Sequence, residues 1–126
     1  MVQSKLETAL KTGPKLKCRF FKQASGTEPV REWLKQLSPE SDRKTIGTDI
    51  SAVQFAWPLG LPLVDYLEDG IWEVRSRLAN RIARVLFVVE NDTMILLHGF
   101  IKKEQRTPDA DKRIARDRLK KLRGLK

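Results

Sequence analysis

Residues 71–108, IWEVRSRLANRIARVLFVVENDTMILLHGFIKKEQRTP, decide the fold. Their first eight positions alternate in chemistry: Trp72, Val74, Ser76 and Leu78 point one way, Ile71, Glu73, Arg75 and Arg77 the other. Ala79 and Asn80 make a tight connection into the run Arg81 to Glu90, between whose charged ends Arg84 is the only charge in an otherwise apolar segment. Asn91 and Asp92 then turn the chain into residues 93–101. Connections this short join antiparallel neighbours and leave no room for a parallel crossover, so the stretch predicts a three-stranded antiparallel meander. Cations punctuate it at Arg75, Arg77, Arg81 and Arg84 and again at Lys102 and Lys103. A sheet with so many cations has one face suited to phosphate, which makes it a candidate RNA-handling surface.

Outward from the meander, residues 17–22, KCRFFK, read as a short strand favoured by Phe20 and Phe21. Before them, residues 1–14 form a polar lead ending in Gly13 and Pro14, expected to be a flexible arm. Thr27, Glu28 and Pro29 have the form of a helix start, with a capping hydroxyl, an early acid and a first-turn proline. Val30, Trp33, Leu34 and Leu37 follow at helical spacing. Ser38, Pro39 and Glu40 repeat the signal for a second helix reaching about Phe55, with Ile46, Ile50 and Val53 inward and Gly47 weakening it by about 1 kcal/mol. Pro58, Gly60 and Pro62 end it, and residues 63–67 form a short extended piece before the turn pair Asp69 and Gly70. After Pro108, the acids Asp109 and Asp111 suit a helix N-terminus. Ala110, Ile114, Ala115, Leu119 and Leu122 then make a narrow apolar stripe among seven cations.

The expected architecture is α+β: an N-terminal strand plus the meander in one small, twisted, mostly antiparallel sheet. Two helices lie on one face, and a basic helix closes the chain. At 126 residues and 40% hydrophobic content, residues 1–126 suit one compact domain.

The formal net charge of +9 favours an anionic partner, most simply nucleic acid, although an acidic protein or a membrane surface would also fit. Residues 1–70 hold 10 Lys/Arg against 9 Asp/Glu, whereas residues 71–126 hold 15 against 7, so the excess sits with the meander and tail. Residues 24–70 hold 4 against 8, which marks the helical pair as support beneath the sheet rather than an RNA-binding layer. Cys18 is the only cysteine, which excludes an intrachain disulfide and a Cys-rich metal site. No run approaches the length of a membrane span, and the first residues lack a secretory core, so a cytoplasmic protein without membrane association is expected.

The order of elements, together with WEVR, RIARVLF, LLHGFIKK and the following QRTP, resembles the RelE/HigB superfamily of toxin endoribonucleases. It is most similar to the phage-derived HigB-like branch, often labelled phage-related proteins, over about residues 17–123. The resemblance implies the toxin of a toxin–antitoxin pair, an mRNA interferase that enters the ribosome and cuts messenger RNA without a metal or other cofactor. The ribose 2′-hydroxyl is the nucleophile. Catalysis then demands positioning, stabilisation of phosphorane charge and proton movement. The implied partners are messenger RNA on the ribosome, ribosomal RNA and a cognate helix-turn-helix antitoxin.

By the same resemblance, Arg84 matches a basic strand position and would stabilise the transition state. The structural alternative is an ion pair with Glu73 or Glu90. Arg75, Arg77 and Arg81 would grip the RNA backbone, or else simply line a solvated edge. His98, the sole histidine, could exchange protons near neutral pH or be a hydrogen-bonded structural residue. Phe100 shares its face and could stack on a base or join the core. Lys102 and Lys103 fall where the family places basic residues, and a lysine there would contact phosphate or protonate the leaving group. Several family members carry a proton-transferring tyrosine near the C-terminus, whereas the only tyrosine here is Tyr66. That role therefore falls to His98 or a lysine.

Other chemistries find little support. The carboxylates do not cluster as a metal nuclease requires, no glycine-rich phosphate loop is present, and no serine sits in a nucleophile-elbow motif. The rival function is a non-catalytic RNA- or protein-binding module on a toxin-like fold.

Overall fold

The computed structural model describes residues 13–102 and 106–124. The elements run β1 (Lys17–Phe20), α1 (Pro29–Gln36), α2 (Glu40–Ala56), β2 (Val64–Glu68), β3 (Ile71–Arg77), β4 (Ile82–Glu90), β5 (Thr93–Lys102) and α3 (Asp109–Leu122). Five strands form one sheet in the order β1-β5-β4-β3-β2. The α+β class and the antiparallel meander β3-β4-β5 agree with the sequence reading. The sheet has one strand more than expected, because residues 64–68 pair antiparallel with β3 instead of remaining an isolated extended piece. Asp69 and Gly70 both take positive φ, 53° and 80°, the pattern of a type I′ turn whose twist matches that of its strands. β1 lies parallel to β5, which the long connection through both helices permits. Of the expected N-terminal arm, residues 1–12 lie outside the described residues.

Each face of the sheet carries its own apolar layer. On one, Val30 of α1 and Ile46, Ile50 and Val53 of α2 pack on Val74, Val85, Phe87, Met94 and Leu96. On the other, Ala115 and Leu119 of α3 cover Ile71, Leu86, Val88, Ile95 and Leu97. Gly99 belongs to the first layer for a steric reason: an added Cβ would meet the Trp33 ring at 2.4 Å. A register shift between Leu86 and Phe87, facing Leu97, lets both Leu97 and His98 serve the α3 side.

Two local expectations differ. Glu28, not Thr27, occupies the N-cap of α1 and makes no side-chain cap, while the Thr27 hydroxyl accepts a 3.1 Å bond from Ser25. In α3, Ala110 and Ile114 face outward. The helix is instead turned so that Asp111 and Arg118 bond to β5, which leaves only Ala115 and Leu119 of the stripe fully buried. Cys18 is half-buried, and burial pushes its thiol up to about 11. Among the described residues no helix is long and apolar enough to cross a membrane.

Candidate functional site

Strand register lays the α3 face out in rows. Arg75, Arg84 and Phe100 are neighbours across β3, β4 and β5; Glu73, Leu86 and His98 form the next row; Arg77, Ile82 and Lys102 form the row at the opposite side. This brings together five of the predicted site residues, Arg75, Arg77, Arg84, His98 and Phe100, and gives Lys102 a backbone position beside them. Lys103 lies outside the described residues.

Two arginines side by side repel, and a carboxylate resolves the conflict. Glu73 Oε1 stands 3.3 Å from Arg84 Nε and 3.6 Å from Arg75 Nε. Arg84 Nη1 donates to the Thr107 hydroxyl at 3.1 Å, and that hydroxyl in turn donates to Glu73 Oε2. Each group therefore acts in a role its chemistry allows. This is the ion pair with Glu73 that stood as the structural alternative for Arg84, and it is withdrawn from solvent: the Arg84 side chain is 1% exposed and that of Glu73 2%. Thr107 directly precedes the Pro108 cap of α3, so this buried cluster also ties the helix start to the sheet.

Arg75 keeps partial access to solvent and Arg77 is exposed. Both line a cleft of about 440 Å³ with Thr45 and Asp49 of α2, Pro62, Leu63 and Ile82. The cleft exists because β2 stops pairing at Val64 opposite Val74, leaving the last residues of β3 as an open sheet edge. Arg81 is elsewhere. Its guanidinium reaches Asp42 Oδ2 at 2.7 Å and the Ser38 carbonyl at 2.9 Å, at the start of α2, so it braces the helical layer.

His98 is held on both ring nitrogens. Nε2 lies 2.7 Å from Asp111 Oδ1, and Nδ1 lies 3.4 Å from Arg118 Nη1, which also donates to the Leu97 carbonyl at 2.7 Å. Arginine has no acceptor, so this network assigns the neutral ring its proton at Nε2. Burial lowers the imidazole's proton affinity, Asp111 opposes that by hydrogen bond and charge, and Arg118 adds to the lowering. Burial likewise lowers the affinity of Arg118. The ring stacks on buried Phe100, with centroids 5.4 Å apart and planes 21° from parallel. Thr107, Asp111 and Arg118 were not expected from sequence to be site residues. The only signal was their spacing after the meander, which reads equally as ordinary helix start and basic helix face.

Among the described residues, no group of three or more His, Cys, Asp or Glu side chains gathers to hold a metal. The arrangement offers fixed positive charge, two accessible guanidinium groups beside a cleft, and a buried carboxylate that orients one of them.

Fold and site together describe a small α+β protein with a cationic sheet face. The chain belongs to the family described as Phage derived protein Gp49-like (DUF891), whose model matches residues 32–120, a span holding every described candidate site residue. That family is part of the RelE/HigB-like toxin group and is associated with the toxins of toxin–antitoxin systems. No curated protein matches the chain.

Proposed function

We propose that this chain is the toxin of a toxin–antitoxin pair and acts as a ribosome-dependent endoribonuclease on messenger RNA. The observation that carries the reading is the placement of Arg75 and Arg77 along one open cleft, with the Glu73–Arg84 pair fixed behind Arg75. In this mechanism the Arg75 and Arg77 guanidinium groups bind phosphate oxygens and draw the scissile phosphate toward an adjacent 2′-hydroxyl. Attack passes the 2′-hydroxyl proton to solvent water and forms a phosphorane whose added negative charge meets cations already in place, so little reorganisation opposes it. Arg84 contributes from below by holding Glu73, which fixes Arg75. Lys102, in the row of Arg77, protonates the leaving 5′-oxygen. His98 positions Phe100 and the wall beside it. Ribosomal RNA engages the exposed cations of α3, and a helix-turn-helix antitoxin encoded by the neighbouring reading frame neutralises the toxin.

Induced expression in bacteria tests this directly. Growth should stop, and messenger RNA should acquire new ends bearing 2′,3′-cyclic phosphate and 5′-hydroxyl groups. Normal growth with intact messenger RNA in cells making folded protein would overturn the reading.

One observation favours the rival module. Both His98 nitrogens are occupied within the fold, which leaves fewer groups free for proton transfer than for phosphate binding. RNA binding without any cleavage would select that function.

A further inference from the structure

The cleft at the open edge of β3 contains an arrangement the phosphate grip does not use. Its sheet wall carries Arg75 and Arg77, and its helical wall carries Asp49 and Thr45 of α2. Asp49 and Arg77 share this cleft, yet among the described residues neither belongs to an ion pair. Elsewhere on the surface opposite charges do close on one another: Arg81 with Asp42, Lys17 with Asp92, and Arg123 with Glu90. A carboxylate and a guanidinium kept apart across one cavity suit a ligand that is anionic at one end and a hydrogen-bond donor at the other.

We propose that this cleft binds one nucleotide of single-stranded RNA and reads its base as guanine, with Asp49 as the reading residue. The inference rests on the RNA-directed function proposed above and extends it to base preference. The cleft's volume of about 440 Å³ lies within the range of small-molecule sites, roughly 300–1,000 Å³. Arg75 and Arg77 take the phosphate, and Leu63, Pro62 and Ile82 supply apolar wall for a base. The two oxygens of an ionised carboxylate accept two parallel hydrogen bonds. Among the four bases only guanine presents two adjacent donors, its N1–H and 2-amino group, on one edge. Adenine and cytosine offer a single amino group beside an acceptor nitrogen that a carboxylate repels, and uracil offers one N–H between two carbonyls. The Thr45 hydroxyl donates to the Ser41 carbonyl at 3.0 Å, so its oxygen lone pairs remain as a further acceptor toward the cleft. The acidic helical layer, expected from its charge to stay clear of RNA, thereby supplies the specificity-determining wall.

The test is fluorescence anisotropy of the purified chain with short 2′-O-methyl oligoribonucleotides, which cannot be cut by 2′-hydroxyl attack, each carrying one G, A, C or U in a fixed context. The guanine probe should bind about tenfold or more tighter than the others, the scale of one bidentate base contact. Asp49→Asn and Asp49→Ala should abolish that preference while their unfolding midpoints stay at the parent value. Arg77→Ala should weaken all four probes together. Equal affinity for the four probes, or a guanine preference that survives both Asp49 variants, overturns the inference. So does a lack of binding to any probe. Failure here is separable from failure of the proposed function: a chain that arrests growth and cuts messenger RNA without base preference loses only this inference.

Discussion

Arg84 Nε lies 3.3 Å from Glu73 Oε1 across two neighbouring strands, and both side chains are withdrawn from solvent. The pair gives one strand cation a structural duty, while Arg75 and Arg77 line the open cleft.

Arg84→Ala should therefore destabilise the fold. Removing one partner of a buried ion pair leaves the other charge uncompensated, at a cost of about 3–5 kcal/mol. Replacing both Arg84 and Glu73 by Met should recover a large part of that loss. Chemical denaturation checks both, and a single variant within about 0.5 kcal/mol of the parent would contradict the structural role assigned here.

Stability should fall on acidification through His98. Its proton affinity in the fold is depressed, chiefly by burial, so the folded state favours the neutral ring. The contribution is fully present above the ordinary histidine value of 6.5 and is lost as pH falls below it toward the folded value. His98→Gln, which cannot titrate there, should flatten the stability difference between about pH 8 and about pH 5. An unchanged slope would show that other groups set the dependence.

Gly99→Ala should cost about 1–3 kcal/mol, the range for overpacking a core, because the new methyl group would lie against the Trp33 ring. Thermal unfolding measures it, and a midpoint equal to the parent's would mean that α1 shifts without strain.

Arg75→Ala and Arg81→Ala should separate ligand contact from bracing. Loss of a charged hydrogen bond to phosphate at Arg75 should reduce RNA cleavage about tenfold or more. Arg81 bonds to Asp42 and Ser38, so its removal should cost a modest amount of stability and leave cleavage near the parent rate. Equal losses of cleavage in two folded variants would return Arg81 to the RNA face.

Much of this protein is local information. The alternation of residues 71–77, the turn pairs at 69–70 and 91–92, and the helical spacing of Ile46, Ile50 and Val53 each depend on neighbours a few positions away, so the meander, both N-terminal helices and the shared face of Arg75, Arg77, Arg84, His98 and Phe100 are legible in the chain itself. The remainder depends on distant partners. Arg84 is buried because Thr107, 23 residues on, closes over it with Glu73, and His98 is held because Asp111, 13 residues on, meets it from α3. Arg81 turns away because Asp42 is waiting 39 residues earlier. Residues 64–68 become a strand only when β3 offers an edge, and Asp49 becomes a wall of the cationic cleft only because that strand stops short. Periodicity assigns a side chain to a face of the sheet; whether the face is then covered, paired or left open is decided by what the rest of the chain packs against it.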